Sequence, residues 1–142
     1  MRIRIFSVVL LFALILAGCS SKDTPAANTS WLLDSLTVQG TSIDLSPAQP
    51  ITLEIGSGTE VGGSSGCNSY FGDLKFKADG VVEAGNFGGT EMACETGMDV
   101  EAAFLGAMSR LDTLVEFTQY EMTLSADNGE TQLVFQLLRT ME

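Results

Sequence analysis

The sequence has 142 residues, which is enough for one ordinary domain with its own core. Seven basic and 18 acidic residues give a net charge of −11, and this acidity argues against binding to nucleic acid or to an anionic lipid surface, since both need basic patches. There is no histidine, which excludes Ser-His-Asp and Cys-His catalysis and every histidine-dependent metal site.

The first 18 residues have the pattern of a cleaved signal peptide. Arg2 and Arg4 precede an apolar run over residues 5–16, which is shorter than the roughly 20 residues that span a bilayer. Residues 16–19 read L-A-G-C, which resembles the lipobox of bacterial lipoproteins, where the peptide is cut before a cysteine that carries diacylglycerol. We expect lipidation of Cys19; an ordinary secretory signal with an incidental cysteine is the alternative.

The residues that follow predict a tether and a location. Ser20 stands where an aspartate commonly retains Gram-negative lipoproteins in the inner membrane, so the sequence resembles the outer-membrane class. Residues 19–29 are predicted to be the lipidated cysteine and a flexible tether, because residues 20–29 are small and polar and include a proline. The domain is expected over residues 30–142, held at the outer membrane and facing the periplasm. Its charge would be −13, since two positive charges leave with the signal peptide.

Short strands dominate the first half of this domain. A strand over residues 31–38 opens with Trp31, which we expect in the core, and a loop follows over residues 41–50. Further strands are predicted over residues 50–55, 61–66, 70–77, 81–84 and 87–93, with a turn at 78–80.

One helix is predicted after these strands. Thr96 and Asp99 resemble a capping box with a shorter acid, and Asp99 and Glu101 suit the first turn of a helix. Apolar residues then recur at spacings of three and four and form one stripe that we expect to be buried: Val100, Phe104, Ala107, Met108 and Leu111.

The chain ends in a predicted hairpin. A strand over residues 113–119 is followed by strands over 120–126 and 131–138, which flank Asn128-Gly129, and Leu124 should face Leu133. The expected fold is therefore mainly β (α+β): a small antiparallel sheet curled into a partial or closed barrel with one packed helix.

Residues 62–66 match the G-x-S-x-G pattern of the α/β-hydrolase nucleophile elbow. The surrounding sequence does not support a hydrolase, because that motif needs a strand-to-helix turn, an α/β sheet and a histidine. A hydrolase using Ser64 or Ser65 is therefore the least favoured reading. No phosphate-binding glycine loop and no calcium-loop spacing is present either, so the sequence predicts no nucleotide, metal or cofactor.

With Cys19 lipidated, Cys67 and Cys94 are left as an even pair in an oxidising compartment. A disulfide between them is favoured, and two buried free thiols are the alternative.

Three segments resemble the META domain (HslJ-like) family: W-L-L at residues 31–33, G-C-N-S-Y-F-G at 66–72 and T-E-M-A-C at 90–94. The resemblance covers about residues 30–138. It implies a small envelope protein, often a lipoprotein, with a mostly antiparallel β fold and no established enzymatic activity. Some members are associated with heat induction, antibiotic tolerance or virulence.

The motif residues have a structural interpretation. Gly66 would permit an unusual backbone or close packing, Asn68 would tolerate a left-handed turn, and Tyr70 would bury its ring with its hydroxyl paired. A binding surface built on Asn68, Tyr70 and Thr90 is the alternative.

We therefore expect a non-enzymatic, lipid-anchored envelope module with a binding or stress-associated role. Its partners would be the membrane, through the lipid, and a cationic protein or peptide. The alternative function is inhibition of a cationic envelope enzyme such as lysozyme or a protease, since an acidic domain is steered towards a basic protein.

Overall fold

A computed structural model of the chain describes residues 23–140. This part of the chain contains nine strands and one α-helix. In chain order they are β1 (Thr29–Val38), β2 (Thr41–Ser42), β3 (Thr52–Ile55), β4 (Glu60–Ser64), β5 (Ser69–Phe76), β6 (Val82–Gly89), α1 (Met98–Met108), β7 (Thr113–Phe117), β8 (Glu121–Ala126) and β9 (Thr131–Thr140).

All nine strands belong to one antiparallel sheet, and the predicted fold class is confirmed. The strand order is β6-β5-β4-β3-β1-β9-β8-β7, with the short β2 paired to the end of β1. The sheet curls into a half-barrel. A single bridge between Val81 and Thr113 joins its two edges at one point, and α1 connects β6 to β7 across the remaining gap.

The core lies between the curled sheet and α1. The apolar stripe predicted on the helix is buried along its whole length, with exposures of 3% or less. Trp31, the only tryptophan, is 1% exposed, and Leu53 on β3 is fully buried. Alternation along the strands and the three- and four-residue spacing of the helix therefore identified the core correctly.

Two strand predictions were wrong. The predicted loop over residues 41–50 begins with β2, because Gln39 and Gly40 take positive φ angles of 49° and 76° and turn the chain back onto β1. The strands predicted over 81–84 and 87–93 are one strand, β6, which ends at Gly89. Gly85 and Asn86 lie at a register shift where β5 offers one residue, a β-bulge, so they do not break the strand.

The predicted capping box is also wrong. Gly97, with a φ of 84°, is the N-cap of α1, and no side chain caps the helix. A Cβ on Gly97 would lie 2.8 Å from Cα of Ala48, which is in the loop between β2 and β3. Only glycine therefore lets the chain lie against this loop at the point where α1 begins. Asp99 and Glu101 do lie in the first turn.

The C-terminal hairpin is confirmed, and Leu124 pairs with Leu133. Its turn is longer than a two-residue connection, because three successive residues take positive φ: Asp127, Asn128 and Gly129. Asp127 accepts a hydrogen bond from the Thr131 hydroxyl at 2.7 Å, which closes this longer turn.

At the other end of the chain, β1 begins at Thr29, two residues earlier than predicted. Thr29 is 3% exposed and Pro25 is buried, and the Asn28 N–H donates to the Ile55 carbonyl. The end of the predicted tether is therefore packed against the domain. The predicted signal peptide and Cys19 lie outside the described residues, and no helix within 23–140 is both long enough and apolar enough to cross a bilayer.

Candidate functional site

The turn between β4 and β5 carries the motif predicted from the sequence. Gly66 takes a φ of 102°, and a Cβ there would lie 2.9 Å from Cβ of Ala48 and 3.2 Å from Cγ1 of Ile51. Gly66 therefore has the unusual backbone and close packing that were expected of it. Asn68 does not take the left-handed conformation proposed for it, because Gly66 already supplies the positive φ in this turn.

Asn68 is instead a buried link between three segments of the chain. Its Oδ1 accepts hydrogen bonds from the Thr90 hydroxyl at 2.9 Å and from the Met92 N–H at 2.7 Å. Its Nδ2 donates to Oε1 of Glu101 at 2.8 Å and to the Met92 carbonyl at 3.1 Å. One side-chain amide thus joins the β4–β5 turn, the segment after β6 and α1.

Glu101 is the partner of Asn68 on the helix, and it is only 7% exposed. Its Oε2 accepts from the Ser65 hydroxyl at 2.6 Å and from the Asn68 N–H at 2.8 Å. Burial raises the pKa of Glu101, but the hydrogen bonds from Ser65 and Asn68 outweigh it and hold the pKa of this carboxyl below its ordinary value. Glu101 is therefore a carboxylate at neutral pH.

The sequence interpretation missed this role, because an acid in the first turn of a helix is already explained by the helix dipole. One signal was available. Glu101 follows Val100 and lies three residues before Phe104, on the buried side of the helix, and a buried acid requires hydrogen-bond partners.

Tyr70 lies beside this network but serves the core. It is 3% exposed, its hydroxyl donates to the Thr52 carbonyl at 2.8 Å, and its ring packs edge-to-face on Phe104 with centroids 5.4 Å apart. Burial, together with the charge of Glu54, raises the pKa of Tyr70, so the phenol stays protonated. The structure therefore gives Tyr70 a packing role.

Cys67 and Cys94 form a disulfide, with Cα atoms 6.0 Å apart and 27 positions apart in sequence. It joins the β4–β5 turn to the segment that leads into α1. The disulfide and the Asn68–Glu101 contact therefore connect the same turn to the same end of the helix by two independent links.

These links frame a cleft of about 760 Å³. One wall is formed by residues 85–93, in β6 and the segment after it, and the other by one face of α1, including Met98 and Leu105. Asn68 and Glu101 lie at the end nearest the β4–β5 turn. The lining includes two carboxylates, Glu91 and Glu101, and among the described residues that line it there is no lysine or arginine.

Ser64 and Ser65, the serines of the G-x-S-x-G match, lie at the end of β4 and in the turn that follows. This is a strand-to-strand connection rather than a nucleophile elbow. Ser65 is fully buried and hydrogen-bonded to Glu101, so its hydroxyl is not presented to a substrate.

The sequence of this domain matches the META domain family model over residues 24–138. The chain belongs to the META domain family. No functionally curated protein matches it. Two of the three segments that suggested the family, residues 66–72 and 90–94, contain the turn, both cysteines of the disulfide, and Asn68 with its partners Thr90 and Met92.

Three solved structures are similar to this META domain. A protein from Burkholderia xenovorans, solved by NMR, is 33% identical, with a TM-score of 0.64 over 80% of this chain and 84% of that one. Another protein solved by NMR is 19% identical, with a TM-score of 0.57 over 81% and 93% of the two chains. A DUF4847 family protein from Bacteroides vulgatus is 11% identical, with a TM-score of 0.56 over 82% and 96%. The last two share the fold alone.

Proposed function

We propose that this META domain protein is a lipid-anchored envelope protein that binds a partner in the cleft between β6 and α1 without chemically changing it. The observation that carries the proposal is the cleft itself, about 760 Å³ in volume, with both walls joined to the β4–β5 turn. Asn68 ties the segment after β6 and the helix to that turn, and the Cys67–Cys94 disulfide adds a covalent link. A cleft held in one geometry loses little conformational entropy when a partner binds.

The lipobox supports the anchor, and strand register supports the orientation of the cleft. The described chain enters the sheet at Thr29, which pairs with Ile55, and Ile55 pairs with Val61 near the start of β4. The β4–β5 turn lies at the other end of β4, where Ser64 pairs with Ser69. An anchor at Cys19 would therefore hold the end of the sheet opposite that turn near the membrane.

Two cleft residues that could act in general acid–base or nucleophilic catalysis, Glu101 and Ser65, are hydrogen-bonded to each other. The chain has no histidine, and the lowered pKa of Glu101, whose oxygens already accept three hydrogen bonds, makes it a weak general base. Ser65 is buried against that carboxylate. These features favour a binding module over an enzyme.

A second candidate function, inhibition of a cationic envelope enzyme such as lysozyme, is favoured by the carboxylates of the cleft and by the charge of −13 expected after cleavage. An activity assay of lysozyme with added protein, at low and at high salt, tests it. Inhibition at low salt that weakens at high salt would support the candidate, and no inhibition at low salt would remove it.

Anchoring is tested by mass spectrometry of the protein extracted from bacterial membranes. We expect a chain that begins at Cys19 and carries diacylglycerol on its sulfur, and a Cys19→Ser variant that is neither lipidated nor cut at this position. An unmodified Cys19 in the membrane-extracted protein would refute the anchor.

Binding is tested by placing a photo-cross-linking amino acid at Met98, which lines the cleft, or at Val115 on β7, which does not line it. The two side chains are similarly exposed, at 42% and 45%. We expect a discrete cross-linked product in living cells from position 98 and none from position 115. The same products from both positions would show that the cleft is not a specific site.

A further inference from the structure

The outer edge of β6 is an unpaired strand edge that faces the cleft. β6 is the last strand of the sheet and pairs only with β5, apart from the single Val81–Thr113 bridge just before its first residue. Within residues 23–140 no strand covers the rest of this edge. Such an edge presents a row of backbone N–H and C=O groups that a further strand can use.

The register shows which backbone groups point outward. The Thr90 N–H donates to the Ser69 carbonyl at 3.0 Å and the Ser69 N–H donates to the Thr90 hydroxyl at 3.2 Å, so the backbone N–H groups of these two residues point towards each other's strand. Hydrogen-bonded and non-hydrogen-bonded pairs alternate along an antiparallel ladder. Gly89, opposite Tyr70, and Phe87, opposite Gly72, are therefore in non-hydrogen-bonded pairs, and their N–H and C=O groups point away from β5.

This edge is open to an incoming backbone. Gly85, Asn86, Gly88 and Gly89 are exposed, and three of the four are glycines, so few side chains cover the edge. Residues 85–89 all line the cleft, and the three that follow the β-bulge, residues 87–89, offer about 10 Å of regular strand edge at roughly 3.3 Å per residue. The facing wall of the cleft is formed by α1.

The side chains around the cleft indicate the chemistry of that segment. Glu91 is exposed and Glu101 is ionised, and no basic residue among the described lining residues offsets them. Met92 and Met98 are exposed apolar side chains in the same lining, with 59% and 42% of their surface accessible. Polarizable methionine side chains adapt to apolar groups of different shapes.

We propose that the cleft takes an extended peptide segment of a partner protein, which adds as a strand to the outer edge of β6. The segment would pair its backbone with Phe87 and Gly89 and would carry basic and apolar side chains towards Glu91 and the two methionines. Main-chain pairing gives such a site affinity, and the flanking side chains give it selectivity. This inference rests on the proposed function, since it names the occupant of the same cleft.

The test uses the isotope-labelled full-length protein in mild detergent and three capped nine-residue peptides. The first alternates lysine and valine, the second is the same peptide with every backbone nitrogen methylated, and the third has glutamate in place of lysine. At low salt we expect the first peptide to give saturable amide shifts centred on residues 85–89. Methylation, which removes the donors needed for pairing, should weaken binding on the order of tenfold, and the glutamate peptide should bind more weakly than the lysine peptide.

Two charge reversals supply matched controls. Glu91→Lys should lower the affinity for the lysine–valine peptide by about threefold, which corresponds to the loss of one exposed charge contact. Glu60→Lys makes the same charge change at the start of β4, outside the cleft, and should leave the affinity unchanged.

Three results would overturn the inference. Equal binding of the methylated and unmethylated peptides in the cleft would exclude strand addition while leaving the cleft as a binding site. Peptide-induced shifts centred away from residues 85–89 would place the contact elsewhere. The absence of amide shifts with all three peptides would refute the proposal that an extended peptide occupies the cleft. Cross-linking from position 98 would still show separately whether the cleft binds a partner.

Discussion

Replacing Asn68 by alanine removes the side chain that joins three segments around the cleft. Its amide makes four hydrogen bonds to oxygen and nitrogen partners, one of them to the Glu101 carboxylate. A neutral bond contributes about 1 kcal/mol and a bond to a charged group about 1.5–3 kcal/mol. Bonds in one network are not additive, and water can reach Thr90 and Met92 in the variant, so we expect the free energy of unfolding to fall by about 3 kcal/mol.

Urea unfolding followed by tryptophan fluorescence measures this change, because Trp31 is the only tryptophan and is buried. The comparison uses a secreted form that begins at Ser20, with the disulfide intact. Asn86→Ala is the matched control, since Asn86 also lines the cleft but is exposed, and its loss should cost less than about 0.5 kcal/mol.

Equal destabilisation by Asn68→Ala and Asn86→Ala would show that the buried hydrogen bonds of Asn68 contribute no more to stability than an exposed amide does. Asn68→Asp provides a further check. It keeps the shape of the side chain but places a second carboxylate against Glu101, so its stability should recover as the pH falls and one of the two acids is protonated.

Three other predictions follow from the same contacts. The pKa of Glu101 is lowered from its ordinary value of 4.5, so wild type should be more stable than Glu101→Gln at pH values above 4.5. The difference in stability should shrink as the pH falls through the pKa that Glu101 has in the folded protein. A constant difference in urea midpoints down to pH 2 would contradict this. Reducing the Cys67–Cys94 disulfide should lower the free energy of unfolding by about 3–4 kcal/mol, and alkylation without reductant should label neither thiol; two labels on the folded protein would contradict the bridge. Gly66→Ala should lower the midpoint of thermal unfolding more than Gly129→Ala does. Both glycines have a positive φ, but only a Cβ at position 66 would lie within 4 Å of other atoms. Equal decreases would show that close packing does not restrict position 66 to glycine.

Much of the fold could be predicted from local patterns. The helix stripe around Phe104 and the pairing of Leu124 with Leu133 depend on periodicity and turn residues, which a short window of sequence contains. The β2 turn at Gln39-Gly40 carried a comparable signal in its glycine. The bulge in β6 had no such local signal, because Gly85 and Asn86 form a bulge only through their register with β5.

The candidate site was predicted in part. The residues of the β4–β5 turn could be singled out through the family resemblance, but Glu101 lies 33 positions from Asn68, and only the tertiary fold brings the two together. The cleft itself is formed by β6 and α1, which no local pattern relates. Its shape follows from where the half-barrel is left open.

We infer that the Asn68–Glu101 network holds the cleft in the form that binds a partner. The most direct measurement is photo-cross-linking from position 98 of the anchored protein in living cells, comparing wild type with Asn68→Ala and with Gln119→Ala, which changes an exposed amide outside the cleft, at equal protein levels. The product from position 98 should be lost in Asn68→Ala and retained in Gln119→Ala. An undiminished product in Asn68→Ala would show that the network is not needed for partner binding in the cleft.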